Sequence, residues 1–390
     1  MRVVKLRDLL HSWDAGAWGE PATDADGVSV LRSTNFREGG LLSFENEAVL
    51  AIDNVTLAKK KLAIGDILLE RSGGGPLQPV GRVAGFWRSG VHDKFICGNF
   101  ISRLVPKQEL VDSLYLMYVL LNWHVSGKTE KIQTATTGIR NLQMKQYLDN
   151  ELVVPLEVEK QRQIAARLKA QLAEVEAARQ AVRMQVRETS RLADSIILDS
   201  VRNHQVAEYS LGDVLTEVKC GIGASWVDYP VLGATRNGLA PAKEPPGKHA
   251  PKYKPVFPGT VFYNPMRILI GSIAFVDDDD APGITSPDYV ALQGKPEVVD
   301  SRWFYYWLRS PLGVQCINSL ARGAVRERML FNRLTEGEIK LPKFTIQQKA
   351  AAVLKELKPL RVAIESKLRE IELLPQRLLA QAFNAQGSPP

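Results

Sequence analysis

After the strand-like tail Leu152–Pro155, the chain runs to His204 without a glycine or a proline, and its apolar residues keep the period of one long helix. Counted in sevens, Leu168, Val175, Val182, Thr189 and Ile196 form one row, and Leu172, Arg179, Val186 and Ala193 the other. Two rows three and four residues apart make a coiled-coil seam. At about 1.5 Å per residue such a helix is roughly 65–70 Å long, longer than a compact domain is wide. Its seam needs a partner, and Arg179 sits in that seam without an obvious role.

The chain supplies the partner itself. Leu341-Pro342-Lys343-Phe344-Thr345-Ile346-Gln347-Gln348-Lys349 echoes Val154-Pro155-Leu156-Glu157-Val158-Glu159-Lys160-Gln161-Arg162, with Pro342 on Pro155 and Gln348-Lys349 on Gln161-Arg162. The stretch that follows places Val353, Leu357, Leu360, Ile364, Leu368, Ile371 and Leu378 on one expected face. The repeat extends upstream of both helices. Val4–Leu10 matches Tyr209–Leu215, Ile64–Leu69 matches Pro258–Tyr263, Gly81–Phe86 matches Gly271–Val276, and Val111–Leu120 matches Val299–Leu308. The last pair reads as an Asp-Ser cap opening an amphipathic helix. The order of parts is the same twice.

The expected fold is therefore mixed α/β (α+β): two strand-rich domains, 1–150 and 204–338, each followed by a long helix, 151–203 and 339–390. A tandem duplication predicts pseudo-twofold symmetry, with the two helices antiparallel as a coiled-coil spacer and the globular units at its ends. Pro359 and Pro375 each remove a backbone donor, so the second helix is expected to kink or restart there.

Composition narrows the function. With 45% hydrophobic and 24% charged residues this is an ordinary globular chain. No run of eighteen apolar residues occurs and the N-terminus has no signal-peptide core, so the expected location is cytoplasmic. Cys97, Cys220 and Cys316 lie far apart, and the five histidines never fall at ligand spacing, so no disulfide framework or metal site is expected. The net charge is +7, most of it in 339–390. A basic balance permits nucleic-acid binding without demonstrating it.

Catalytic signatures are incomplete. Arg71-Ser72-Gly73-Gly74-Gly75-Pro76 is glycine-rich but lacks the phosphate-loop pattern and leads toward prolines rather than a helix. Tyr263-Asn264-Pro265-Met266-Arg267 resembles the Asn-Pro-Pro-aromatic motif of amino-methyltransferases with its second proline and aromatic missing. Pro287-Asp288 with Gln293-Gly294-Lys295 has Gln where a nuclease metal site needs a carboxylate. The Asp277–Asp280 run reads as a solvated turn.

Recognition surfaces are better supported. Arg and Asn reach base edges bidentately, whereas Lys, Ser and Thr suit phosphates. The first domain offers Arg32 and Asn35, Arg71 and Ser72, and Arg140 and Asn141 after Thr136-Thr137. The second offers Arg236 and Asn237, Lys252, Tyr253 and Lys254, Arg267, and Arg322, Arg326 and Arg328. On the repeat and the Pro-then-Gln-[Arg/Lys] openings of both long helices, from Val154 and again from Leu341, the chain resembles the specificity (S) subunit of type I restriction-modification systems, along essentially its whole length.

What the resemblance implies is a reader of a split site in duplex DNA that is itself no catalyst. It docks two methyltransferase (M) subunits and, in the full complex, restriction (R) subunits. S-adenosylmethionine, ATP and magnesium then belong to the partners, and this chain needs no cofactor. Leu192, Ile197 and Leu198, with Leu374, Leu378 and Phe383, are the apolar residues expected to face those subunits. Gln347-Gln348-Lys349 departs from the family habit of an acid before the glutamine. Two alternatives remain open at this stage: a standalone methyltransferase or nuclease, and a helical scaffold that never touches DNA.

Overall fold

The computed structural model describes residues 1–22, 27–75, 78–88, 90, 94–136, 138–321 and 328–383. It divides into two compact units, Met1–Ala181 with Leu368–Pro390, and Val182–Lys367.

Each unit is built on a four-stranded antiparallel sheet of the same order. In the first, β1 (Leu10–Ala15), β2 (Ile67–Glu70), β3 (Val83–Gly85) and β4 (Ile101–Pro106) run β1-β4-β2-β3. In the second, β5 (Leu215–Glu217), β6 (Val261–Tyr263), β7 (Ile273–Phe275) and β8 (Val290–Gly294) run β5-β8-β6-β7. The interior strands β2 and β6 are buried throughout and apolar except for Glu70 at the end of β2. Each follows a glycine in the left-handed region, Gly65 at φ 94° and Gly259 at φ 88°, where a side chain would be strained.

Against each sheet packs a helix whose start is fixed by an aspartate. Asp112 Oδ1 accepts from Tyr115 N at 2.8 Å to open α1 (Ser113–Val125). Asp300 Oδ1 accepts from Trp303 N at 2.9 Å to open α3 (Ser301–Arg309). Tyr115, Leu116 and Leu120 in one unit, and Trp303, Phe304 and Leu308 in the other, are completely buried. A two-stranded ribbon then closes each unit. Arg2–Lys5 pairs with Glu151–Val154, and Val206–Ser210 with Glu338–Pro342, so the first and last strands of each copy meet just before its long helix begins.

The long helices are α2 (Val158–Arg202) and α4 (Phe344–Phe383). Every member of the two α2 seam rows is buried or half-buried, while most intervening positions are exposed. Each unit takes the beginning of one helix and the end of the other into its core. Ala165 and Leu168 share the first core with Leu379, flanked by Leu378, Ala382 and Phe383. Ile197 shares the second with Ala350, Ala351 and Leu354.

A glutamine fastens each junction. In the first unit Gln161 is fully buried; its Nε2 donates to the carbonyls of Pro155 (2.9 Å) and Leu110 (3.2 Å), and its Oε1 accepts from Asp112 N (2.9 Å). In the second unit Gln347, equally buried, donates to Pro342 (2.9 Å) and Val298 (3.0 Å) and accepts from Asp300 N (3.0 Å). The counterpart of Gln161 is thus Gln347 and not Gln348, because one residue fewer separates the proline from the helix in the second copy. The one-residue slip leaves the departure in place, since Thr345 and Ile346, not an acid, precede Gln347.

Of the face expected for α4, Leu357, Ile364, Leu368, Ile371 and Leu378 are buried or half-buried, whereas Val353 and Leu360 are exposed. Over its first turns the buried stripe passes instead through Gln347, Ala350, Ala351 and Leu354. Small alanines let the start of the helix lie close to the core. The helix continues through Pro359 and Pro375 without restarting. Among the described residues no helix is long and apolar enough to cross a membrane.

Candidate nucleic-acid interface

In the first unit five of the predicted residues fall in one neighbourhood. The strand Ser72–Gly74 pairs with Ile139–Leu142, placing Ser72 opposite Asn141 and Gly74 opposite Arg140. Ser72 Oγ donates to Asn141 Oδ1 at 2.6 Å, and Leu142 N donates to the Arg71 carbonyl at 2.8 Å. Arg71 reaches the other way: its Nε donates to the Asn99 carbonyl at 3.2 Å, and its backbone N–H to that of Phe100 at 2.9 Å.

The Asn99–Phe100 turn forms one wall of a cavity of about 290 Å³, whose other walls are Trp18 and Arg32-Ser33-Thr34. Arg32 anchors through Nη2 to the Asn46 carbonyl at 2.6 Å, while its Nε is buried without a hydrogen-bond partner among the described residues. Asn35 does something else. It is only 1% exposed; Oδ1 accepts from Arg32 N at 2.8 Å, and Nδ2 donates to the carbonyls of Ser43 and Glu45. Its amide shapes the Arg32 loop and does not face outward.

Arg179 now has a role. It forms ion pairs with Glu38, in the loop that follows Asn35, and with Glu176 on its own helix. Burial would lower its pKa, and the two carboxylates raise it above the ordinary value instead. The seam arginine therefore braces the Arg32 loop against α2.

In the second unit Arg236 and Asn237 form the turn between the strands Leu232–Thr235 and Gly238–Pro241. Both side chains are exposed, while the backbone beneath them is held. Arg309 of α3 donates to the Arg236 carbonyl and to those of Gly271 (3.2 Å) and Ile273 (3.0 Å), and Arg361 of α4 donates to that of Asn237 at 3.0 Å. Arg361 thus braces a loop of the second unit as Arg179 does in the first.

Arg267 is exposed beside an Asx turn in which Asn264 Oδ1 accepts from Met266 N at 2.9 Å, so the degenerate Asn-Pro motif is a turn. Met329 N donates to the Pro265 carbonyl at 3.1 Å, a tie like that of Leu142 to Arg71, and so the Arg267 and Arg328 segments adjoin. Arg328 pairs with Asp288 at 3.3 Å, both exposed. Arg322 and Arg326 lie outside the described residues, as does Thr137.

Lys252 is exposed. Tyr253 Oη accepts from Gly247 N at 3.0 Å, whereas Lys254 is turned inward, donating to the Tyr289 carbonyl at 2.8 Å with Glu217 at 3.7 Å. Lys254 is therefore structural. The acidic run is a turn with Asp278 and Asp279 exposed, as expected, but Asp277 is buried and the run is paired to cations. Arg302 pairs with Asp277 and Asp278, Lys355 lies 3.0 Å from Asp278, and Lys358 lies 2.9 Å from Asp280 and 3.7 Å from Asp277. Burial alone would raise the Asp277 pKa, but the Arg302 and Asp278 N–H hydrogen bonds and the charges of Arg302 and Lys358 hold it below the ordinary value. Gln293, read as the missing metal ligand, donates to Thr260 Oγ1 at 3.1 Å.

The apolar residues expected to face other subunits divide. Leu192 is exposed, and Leu198 and Leu374 are half-buried. Ile197 is wholly inside the second core, and Leu378 and Phe383 pack against the first, Phe383 edge-on to Tyr115. Each of these three packs inside its own unit. The residues missed by the sequence reading are Trp18, Asn99 and Phe100, since one aromatic per loop carries no periodic signal.

No protein-family model and no curated protein matches the sequence. Solved structures do resemble it. A chain from a structure described as the basis of complex assembly and conformational transition of the type I R-M system matches at TM-score 0.65 and 15% identity, over 98% of this chain and 97% of that one. The type I restriction-modification S subunit from M. genitalium matches at 0.52 and 15%, over 98% and 96%. The chain has the fold of type I restriction-modification S subunits.

Proposed function

We propose that this protein is the sequence-specific DNA-reading subunit of a type I restriction-modification complex. It binds duplex DNA at a bipartite site, one half per unit, and docks two methyltransferase subunits. Restriction subunits join in the full assembly. The chain itself is non-catalytic and takes no cofactor, the methyl donor, ATP and magnesium being handled by its partners. It acts in the cytoplasm.

The observation that carries this reading is the repetition of one loop arrangement. In both units the segment after the buried central strand is tied by backbone to the segment before the closing ribbon, and arginines stand on that pair: the half-buried Arg71 with Arg140, and the exposed Arg267 with Arg328. Arg32 in one unit, and Arg236 with Asn237 in the other, flank it on loops braced from a long helix. Rigid backbones carrying guanidinium groups suit phosphates and base edges. Leu192, Leu198 and Leu374 are the apolar residues left for subunit docking. A DNA reader of this kind makes binding fall steeply and linearly with log salt. Co-expression with the neighbouring methyltransferase should give a stable complex and a split methylated motif in single-molecule sequencing. A flat salt dependence with no such motif would remove the proposal.

A further inference from the structure

The turn that carries Arg236 and Asn237 is held from behind at each carbonyl of its tip. Thr235 pairs with Gly238, so these two residues are the whole of the connection. The Arg236 carbonyl accepts from Arg309, that of Asn237 from Arg361 Nη2 at 3.0 Å, and that of Gly238 from Thr235 Oγ1 at 3.0 Å. Thr235 Oγ1 in turn accepts from Asn237 N at 3.2 Å, and Ser272 Oγ donates to the Ala234 carbonyl at 2.8 Å. Gly238, at φ 102°, lies so close over Tyr305 that a Cβ would come within 3.0 Å of its hydroxyl. With the tip carbonyls engaged, the exposed side chains of Arg236 and Asn237 are what the turn offers to a ligand.

The two guanidinium groups behind the tip differ. Arg309 also bonds the Gly271 and Ile273 carbonyls and lies 5.5 Å from the Tyr305 ring centre, so it joins hairpin, sheet and α3. Arg361 is half-buried on α4, where its Nε donates to Glu365 Oε1 at 2.9 Å, one turn further along the same helix. It stands 14 residues beyond the buried Gln347, about four helical turns, so the two side chains leave nearly the same face. One end of that face anchors α4 to the domain, and the other grips the tip. A loop fixed beforehand in its bound position need not be ordered when the ligand arrives. We infer that Arg361 is a positioning residue for the half-site read by the second unit: by holding the Asn237 carbonyl from α4 it sets where Arg236 and Asn237 meet DNA. This rests on the DNA-reading proposal and adds to it a residue that acts through others.

The test uses the full chain co-expressed with its methyltransferase subunits, and measures methylation of the specific motif and of motifs changed at single positions in each half. Arg361→Ala is expected to lower specific methylation about fivefold, the effect of one hydrogen bond, and to relax only the half-site that Arg236→Ala relaxes. Added to the double variant Arg236→Ala, Asn237→Ala, it should cost less than about twofold more, because the brace then has nothing to position. Arg361→Gln keeps the stem but is too short to reach the carbonyl, and should give the same pattern if truncation to alanine disturbs the fold. The inference is overturned if methylation and motif stay unchanged, whether or not the melting temperature falls, if the loss adds in full to that of the double variant, or if both half-sites relax together. If Arg236→Ala itself relaxes neither half, or no split motif exists, it is the DNA-reading proposal that falls.

Discussion

A single buried side chain fixes where each long helix starts. Gln161 and Gln347 each satisfy two carbonyls and one N–H that have no water to turn to. Replacing either by alanine leaves those groups unpaired, for an expected loss of about 3 kcal/mol. Gln348, exposed one residue later, should tolerate alanine within about 0.5 kcal/mol. Denaturant titration of the three variants decides between them, and a large loss in Gln348→Ala would contradict the register. The outward-facing arginines behave oppositely. Arg236→Ala is expected to leave stability and assembly unchanged and to reduce methylation of the specific motif tenfold or more, a bidentate contact being worth about 1–3 kcal/mol. Loss of assembly in pull-downs would show that loop to be structural instead.

At the scale of elements, what could be read in the sequence followed how local the determinant is. The α2 seam was legible because a regular heptad row encodes it. The caps at Asp112 and Asp300 were legible because a capping aspartate acts within three residues. The first turns of the inner face of α4 were not, since Ala350 and Ala351 are chosen by close approach to a core built elsewhere in the chain. Nor were the inward turns of Asn35 and Lys254, whose partners lie 8 and 35 residues away. The ion pairing of the Asp277–Asp280 turn was hidden for the same reason, its cations lying on α3 and α4.

That run makes a prediction with a sign. The folded pKa of Asp277 lies below the ordinary 3.8, so its contribution to stability is complete above that value and is lost as pH falls through the folded pKa. Asp277→Asn should destabilise the second unit by about 1–3 kcal/mol at neutral pH. It should also make the melting temperature less steep in pH below about 4. An unchanged acid limb in calorimetry would mean that the network carries no net stability.

For the whole molecule, the consequential feature is that each core is completed by a segment from the far end of the chain. Leu379 lies in the first core with Leu6, Tyr115 and Leu168, although in sequence it follows the whole second globular domain. The first unit therefore cannot be complete until the last helix has been made, and residues 1–181 alone lack part of their core. Leu379→Ala removes a buried side chain and should destabilise that unit by about 2–4 kcal/mol. Hydrogen exchange localises the effect. Amides of β2 and α1 are expected to lose protection, while those of β6 and α3 keep theirs if the units open separately. Equal loss in both would mean that the continuous helices couple them into one cooperative body, and unchanged protection in β2 and α1 would show that the first core stands without its distant segment.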